Sequence, residues 1–369
     1  MPSAMNRVPS SHPAWSAILE QMASTPFDVG ALRPPEISDR WMLASNLQKA
    51  IRLGLTEVAL ATMAKLLQVD EPYLWRRLPV VAYEDVGPGS FERCLEVLRL
   101  FRRTALHRRL GSACVAGYLV RRLCDAPKSR ALCDAIAALE FSPELSRLEQ
   151  QVSVLDDAQL LEAIAAPTAD VVHRVACLRQ ICGYRRFCGG AWHTVAGTRR
   201  DLMGAVCDRM QLSPNEHALY ICGNGVTDSL NIPVPVIAEL VRAQRPVLRA
   251  IATGFEGRHG ILYAALDRHT RVGKRCFAVL LAESAALRRF FRDHPGTDPV
   301  AVLGCAAFVS EGARLDRELM FDGREALRRR FEQAFFASAG LRPDAAAELI
   351  ALLLDAREAL NALRAQALA

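Results

Sequence analysis

Apolar residues recur along this chain at three- and four-residue steps, and strand-like alternation is almost absent, so the pattern predicts helices nearly throughout. From Trp41 the apolar positions Leu43, Leu47, Ile51 and Leu55 follow one another at four-residue steps, with Lys49 and Arg52 on another face and Gly54 closing the helix. Residues 56–69 form a second amphipathic helix on Val58, Leu60, Met63, Leu66 and Leu67. Asp70, Glu71 and Pro72 then break the chain and open a third helix, since acids and an early proline suit a helix start. That helix runs through Leu74, Leu78, Val81 and Ala82 to Gly87-Pro88-Gly89, and Pro79 inside it should bend or interrupt it by removing one backbone bond. Ser90 caps a long fourth helix over 91–110.

The same period predicts helices over 114–124, 130–139, 143–154, 158–165, 169–181, 194–210, 234–243, 275–292, 299–309, 324–339 and 344–367. Ser213-Pro214-Asn215-Glu216 is a capping box with proline at the first helical position, which fixes a helix start at Pro214. Two stretches read as loops, 222–235 with its clustered turn signals and 253–260 with Gly254, Gly257 and Gly260 around Arg258 and His259. The last helix carries an apolar stripe, Leu349, Leu352, Leu353, Leu360 and Leu363, whose expected use is core packing ahead of a subunit interface. The expected fold is all-α, multi-helix and two-lobed. It has an N-terminal arm over 1–38, a helical lobe over 39–110 and a larger helical lobe over 111–369 with a sub-boundary near 245–260.

Composition narrows the reading without assigning a function. The 369 residues are 51% hydrophobic and 23% charged, an ordinary globular balance. Lys and Arg number 46 against 40 acids, a net charge of +6, and only Lys49, Lys65, Lys128 and Lys274 are lysines. The basic side is therefore almost wholly guanidinium, a planar bidentate donor suited to carboxylate and phosphate. Residues 1–13 are rich in Ser and Pro with no apolar run, and the longest apolar stretch, 300–309, falls short of the roughly 20 residues a bilayer needs, so a soluble cytoplasmic protein with no membrane partner is expected. Eleven cysteines, an odd number, fit reduced thiols.

Leu47-Gln48-Lys49-Ala50-Ile51-Arg52, an Ala-containing helix over 59–67, and Arg76-Arg77-Leu78 followed by Ala82 and Glu84-Asp85-Val86-Gly87 form one ordered motif. It resembles the helical, oligomerising C-terminal region of the AAA+ ATPases related to replication-associated recombination protein A and the Werner-helicase-interacting protein, itself related to the clamp-loader collar. The resemblance covers residues 43–103, and it implies a collar-like module that works beside replication proteins or within a mobile element's DNA machinery, as a homo-oligomer. The ATPase core is missing from the pattern. The only Gly-Lys pair, Gly273-Lys274, is followed by Arg275 and has no glycine five positions before Gly273, so no phosphate-cradling loop is present.

Candidate chemistry lies in the charged clusters. Glu84 and Asp85 in the last turn of a helix oppose its dipole by a few tenths to about 1 kcal/mol each. They therefore call for cationic partners, with Arg76 and Arg77 or Arg99, Arg102 and Arg103 the nearest in sequence; a structural network is the leading reading and a metal or catalytic role the alternative. Arg99, Arg102, Arg103 and Arg109 fall largely along one side of the predicted fourth helix and form a stripe that suits a phosphate backbone, or a solvated face. Further clusters are Arg185-Arg186, Arg199-Arg200, Arg288-Arg289-Arg292 and Arg328-Arg329-Arg330. The densest constellation is Asp267, Arg268, His269, Thr270, Arg271, Lys274 and Arg275 before an apolar helix, where an anion would meet free N–H groups and Arg258 could add a donor. Its alternatives are an enzyme using His269 with Asp267 as orienter, or an internal ion network. Cys177, Cys182, Cys188 and His193 lack the paired spacing of a zinc site and read as buried thiols, so neither metal nor cofactor is expected. No hydrolase, metalloprotease or dinucleotide motif occurs. The leading expectation is a non-catalytic DNA- or replication-associated factor that binds phosphate or an acidic partner through arginine clusters. An anion- or nucleotide-binding protein or enzyme centred on 267–274, and an adaptor or inhibitor of a partner assembly, stand beside it.

Overall fold

Asp39 starts the first helix of the domain, its carboxylate accepting from the N–H groups of Trp41 at 2.8 Å and Met42 at 3.2 Å, and α1 runs over Arg40–Arg52. The computed structural model describes residues 18–20, 22, 30, 32–188, 191–243, 246–250 and 255–369. Most of the expected arm over 1–38, and Thr253 and Gly254 of the second expected loop, lie outside the described residues.

The second and third expected helices follow one another without a loop as the two halves of α2 (Thr56–Val81), separated at the expected place by a non-helical residue. The kink lies at Asp70 (φ −158°, ψ 79°), whose carboxylate accepts from the Tyr73 N–H at 3.0 Å and so caps the second half from within. Pro79 leaves α2 helical around it, against expectation. The chain then winds into a wide π turn over Ala82–Val86 that carries Glu84 and Asp85, followed by a 3-10 turn over Gly87–Gly89. A Cβ on Gly89 would lie 2.3 Å from the Pro127 carbonyl oxygen, so only glycine lets the 127–129 strand of chain approach; there the Ser129 N–H donates to the Asp85 carbonyl at 3.0 Å.

The expected long helix over 91–110 is two helices, α3 (Phe91–Leu100) and α4 (Thr104–Leu110). The turn between them is held by His107, whose ring stacks on Trp75 at 4.1 Å while Nε2 lies 2.9 Å from the Leu100 carbonyl, which also accepts from the Arg103 N–H at 3.0 Å. Next come α5 (Ser112–Asp125), α6 (Ala131–Glu140), α7 (Leu145–Ser153), α8 (Asp157–Ala165) and α9 (Val171–Cys182). Residues 194–199, expected to be helical, instead belong to a hairpin and its exit. Strand β1 (Tyr184–Cys188) pairs antiparallel with β2 (Ala191–Ala196), Arg185 opposite Thr194 and Arg186 opposite His193. The β-branched pair Thr194-Val195 favours the strand. After it, Thr198 Oγ1 donates to the Cys182 carbonyl at 2.8 Å and the Arg199 N–H to that of Ile181 at 2.9 Å, using the open end of α9.

Helices α10 (Arg200–Arg209), α11 (Pro214–Cys222) and α12 (Val234–Arg242) follow, with the expected loop between the last two. The capping box forms as read: the Glu216 N–H donates to Ser213 Oγ at 3.4 Å and the Ser213 N–H to Glu216 Oε2 at 2.8 Å. Ser213→Ala is expected to lower unfolding stability by about 1 kcal/mol in urea titrations. An unchanged midpoint would show that α11 is held by packing alone.

Strand β3 (Val247–Arg249) pairs with the later β6 (Glu318–Met320), while β4 (Gly257–Arg258) and β5 (Ile261–Leu262) form a minimal hairpin in the described part of the second expected loop. The helix expected over 275–292 starts earlier and turns a corner: α13 (Arg271–Glu283) ends at Ser284, whose hydroxyl accepts from the Leu287 N–H at 3.3 Å and starts α14 (Ala285–Asp293). Helix α15 (Pro299–Ala307) runs into a second π turn over Phe308–Gly312, and α16 (Arg324–Ser338) follows β6. The last expected helix is also split, at Ala356, into α17 (Pro343–Asp355) and α18 (Arg357–Ala367).

The fold is all-α, with small two-stranded sheets as ornaments. Buried apolar side chains from Leu43 and Leu78 through Leu119, Leu132, Phe277 and Leu303 to Leu349 and Leu360 form one contiguous cluster, shared by residues on both sides of position 110. Leu349, Leu353 and Leu360 of the last stripe are spent on that core. Among the described residues no helix is long and apolar enough to cross a membrane.

Candidate functional site

Helix α1 presents Ser45, Gln48, Lys49 and Arg52 at steps of three and four, so all four side chains share a face, and that face is buried or half-buried against charge rather than oil. Arg52 Nε donates to Asp85 Oδ1 at 2.6 Å, its Nη2 to Glu84 Oε1 at 3.3 Å, and its Nη1 to the Gly312 carbonyl of the second π turn. Arg130 Nη1 reaches Glu84 at 2.8 Å and Asp85 at 3.3 Å. Both guanidinium groups lie over the Phe308 ring, at 5.7 and 5.0 Å. Gln48 donates to Asp85 Oδ2 at 3.0 Å and accepts from Arg77 at 2.9 Å.

Beyond Arg130 the network continues through Asp134, Arg324, Glu318 and Arg249, with Arg324 to Asp134 at 2.7 Å and Arg249 to Glu318 at 2.7 Å. On the other side Lys49 pairs with Asp267, which also accepts from Ser45 Oγ at 3.1 Å. Burial alone would raise the Glu84 carboxyl, but Arg130 and Arg52 together hold it far below the usual carboxylate range. Asp267 is lowered in the same way, burial being overcome by Lys49.

This network corrects the expected partners of Glu84 and Asp85. The bonded partners are Arg52 and Arg130, not Arg76, Arg99, Arg102 or Arg103, while Arg77, one of the expected partners, bonds Gln48 and adds a weaker attraction to Glu84. Arg76 is exposed and lies over the Tyr73 ring at 5.7 Å. Nothing in the local sequence around Glu84 announces Arg130, because the contact depends on the close approach at Gly89.

The four arginines expected along one helix are dispersed by the break between α3 and α4. Arg99 lies at the end of α3, half-buried near Glu96 and Glu92; Arg102, in the turn, covers Phe101 at 4.9 Å; Arg103 precedes α4; Arg109 is exposed near its end. In the second constellation, Arg258 is spent on His259 Nε2 at 3.0 Å and the Ala365 carbonyl at 3.1 Å. Arg268 is spent on Cys305 Sγ at 2.8 Å and the Phe335 ring at 4.9 Å. Asp267 accepts from the backbone N–H of His269 at 2.8 Å rather than from its ring, so it does not orient His269 as an acid or base. The start of α13 is closed by its own cap, Thr270 Oγ1 accepting from the Gly273 N–H at 3.0 Å.

What remains is a basic elbow. Arg271, Lys274 and Arg275 project from α13 along the stripe that continues through Ala278 and Ala282, and after the corner at Ser284 the line resumes on α14 with Ala285, Arg288, Arg289 and Arg292. The alanines leave an open hollow of about 600 Å³, which Leu281 and Phe291 also line and Arg288 and Arg292 border. Arg288 Nη1 donates to the Ala282 carbonyl across the corner. Arg271, Lys274, Arg275, Arg289 and Arg292 are exposed and have no side-chain partner among the described residues. Residues 271–293 hold six cations against only Glu283 and Asp293. The Arg288-Arg289-Arg292 cluster is visible in the sequence, but a helix read straight through Ser284 hides that Arg288 and Arg292 border a hollow at the corner.

No family model, curated protein or solved structure matches this chain. The likeness of residues 43–103 to the collar region of AAA+ ATPases therefore rests on the motif residues. Lys49, Arg52, Arg77, Glu84 and Asp85 all belong to the buried network, and Gly87 has φ +44° with Ser129 O only 3.0 Å from where a Cβ would sit. Among the described residues no group of three or more His, Cys, Asp or Glu is arranged to hold a metal ion.

Proposed function

We propose that this protein is a non-catalytic DNA-associated factor that holds the phosphate backbone in the basic elbow of α13 and α14. The observation that supports the reading is the set of exposed cations Arg271, Lys274, Arg275, Arg289 and Arg292, without side-chain partners among the described residues, on two consecutive helices whose corner holds a hollow bordered by Arg288 and Arg292. Many other arginines of the chain are paired with acids within it, for instance Arg52, Arg130, Arg174 and Arg324. Surface cations held without acids repel one another, and a polyanion relieves that repulsion while releasing its own condensed counterions. With an alanine floor and no aromatic platform in the hollow apart from Phe291, the contact is to backbone charge and carries little base preference.

Each cation that meets a phosphate adds about 0.9 to the slope of log affinity against log salt for duplex DNA. Binding of a labelled duplex by the full chain is therefore expected to weaken steeply between low and moderate salt. The triple variant R271A/K274A/R275A should lower that slope by about 3. A salt-independent affinity, no binding at low salt, or an unchanged slope in the triple variant would overturn the reading.

A further inference from the structure

The hollow at the corner of α13 and α14 has an apolar floor set among charges. Its α13 wall, Ala278, Leu281 and Ala282, begins one helical turn after Lys274 and Arg275, and its α14 wall holds Ala285, Arg288, Phe291 and Arg292. Cations therefore stand on both helices, with an uncharged stretch between them along the chain. Ala278, Ala282 and Ala285 are exposed and Leu281 and Phe291 half-buried, so the floor is open to water. Its volume of about 600 Å³ lies within the roughly 300–1,000 Å³ of small-ligand clefts. The Phe291 ring is held in place from behind. It meets Phe290 edge to face, with centroids 5.2 Å apart and planes at 90°, and Phe290 is itself 3% exposed and stacked on the His294 ring at 4.3 Å.

Phosphates satisfy the cations but leave this floor uncovered. A strand that reaches from Lys274 and Arg275 to Arg288 and Arg292 must cross apolar surface, where a phosphate finds no partner. The part of a nucleic acid that suits such a surface is the face of a base. In a duplex that face is stacked between its neighbours, and turning it out costs unpairing; in a single strand it is already available. A bilayer is a poorer match, because alanine methyls in a recess present nothing that inserts into it.

We propose that the hollow seats one unpaired nucleobase, packed against Phe291 and Leu281, while the flanking phosphates are held by the cations of α13 and α14. This rests on the elbow being a phosphate site, and adds to its backbone contact a preference for unpaired strands. Every base has a π face, so the seat reads no sequence.

The test compares two single strands of equal length by fluorescence anisotropy: a thymidine oligonucleotide, and the same sugar–phosphate backbone without bases. It is made on the full parent chain and so does not depend on a variant folding. The thymidine strand should bind at least about fivefold more tightly, the low end of what one base–aromatic contact supplies. Both should lose affinity with salt at the same slope, about 0.7 for each phosphate held. Phe291→Leu keeps an apolar side chain but removes the ring, and should bring the thymidine strand down toward the base-free one. R271A/K274A/R275A should weaken both strands alike. Equal binding of the two strands with the salt slope intact would overturn the base seat and leave the phosphate reading standing, whereas no binding of either at low salt would overturn both. The seat is also refuted by an undiminished thymidine preference in Phe291→Leu, or by a polyglutamate peptide of equal charge that binds as tightly as the thymidine strand.

Discussion

Asp85→Ala is expected to lower the unfolding free energy by about 3–5 kcal/mol, enough to move most of a marginally stable chain out of its native state at modest urea. Asp85 is fully buried and accepts from Arg52 at 2.6 Å, Gln48 at 3.0 Å and Arg130 at 3.3 Å. Truncation removes one charge of a network whose other members stay where they are, so Arg52, 1% exposed, is left with Glu84 at 3.3 Å and a backbone carbonyl. The cost arises less from the lost bond than from a guanidinium that water can no longer reach. Asp85→Asn keeps one oxygen for Arg52 and Arg130 but drops the charge and turns an amide N–H toward the Gln48 donor, and should still cost less than the alanine. Urea titrations of both variants check this. A loss below about 1 kcal/mol for the alanine would mean that Glu84 or water takes over the vacated site.

The same network explains what the sequence could and could not disclose. The helical period of the chain, the capping box at Ser213 and the turn signals before α12 are local features and were readable as such. The spacing of Lys49 and Arg52 places them on a face apart from the apolar stripe, yet nothing local says whether such a face meets water or other charges. That depends on Arg130 and Asp267, which lie 78 and 218 residues from Arg52 and Lys49. Helix breaks were missed where a tertiary contact makes them. His107 holds the break after Leu100 by covering its carbonyl, and Ser284 becomes a cap only because α14 turns back along the hollow. Of the expected anion-binding residues, Arg271, Lys274 and Arg275 share one exposed helix stripe, whereas Arg258, though exposed, is engaged by the Ala365 carbonyl and the half-buried Arg268 by Cys305. Charge density along the chain identified the region, and only packing separates the free cations from the engaged ones.

Alkaline pH is expected to unfold the protein, with stability falling from about pH 9 upward. Burial pushes the thiols of Cys124, Cys182 and Cys207 up to about 12 and those of Cys177 and Cys305 up to about 11, and raises Cys94 and Cys133 as well. The described cysteines are all free. A group whose pKa is higher in the folded than in the unfolded chain stabilises fully below its unfolded value and loses that contribution as the pH climbs toward its folded one. For these thiols the window opens near pH 9 and extends to about 11 or 12. At pH 10.5 the unfolded chain releases nearly a full proton from each, which costs the folded state roughly 2 kcal/mol for each of Cys124 and Cys182, both 1% exposed. Burial raises Tyr83 and Tyr220 too, adding losses above pH 10. Two lysines act in the opposite sense. Burial lowers Lys128 to about 8, and lowers Lys49, so their contributions improve as the pH rises toward their unfolded values. Seven thiols and two phenols outweigh two lysines, and Lys128 Nζ already donates to the carbonyls of Leu123 and Cys124 at 2.8 Å and to that of Ala126, which favours its charged form. Urea midpoints measured under reducing conditions at pH 7, 9 and 10.5 should be level between the first two and fall sharply at the third. Thiol-reagent labelling of the native chain at pH 9 should be far slower than that of free cysteine, and rapid labelling there, or a midpoint that holds at pH 10.5, would show that the thiols ionise without unfolding.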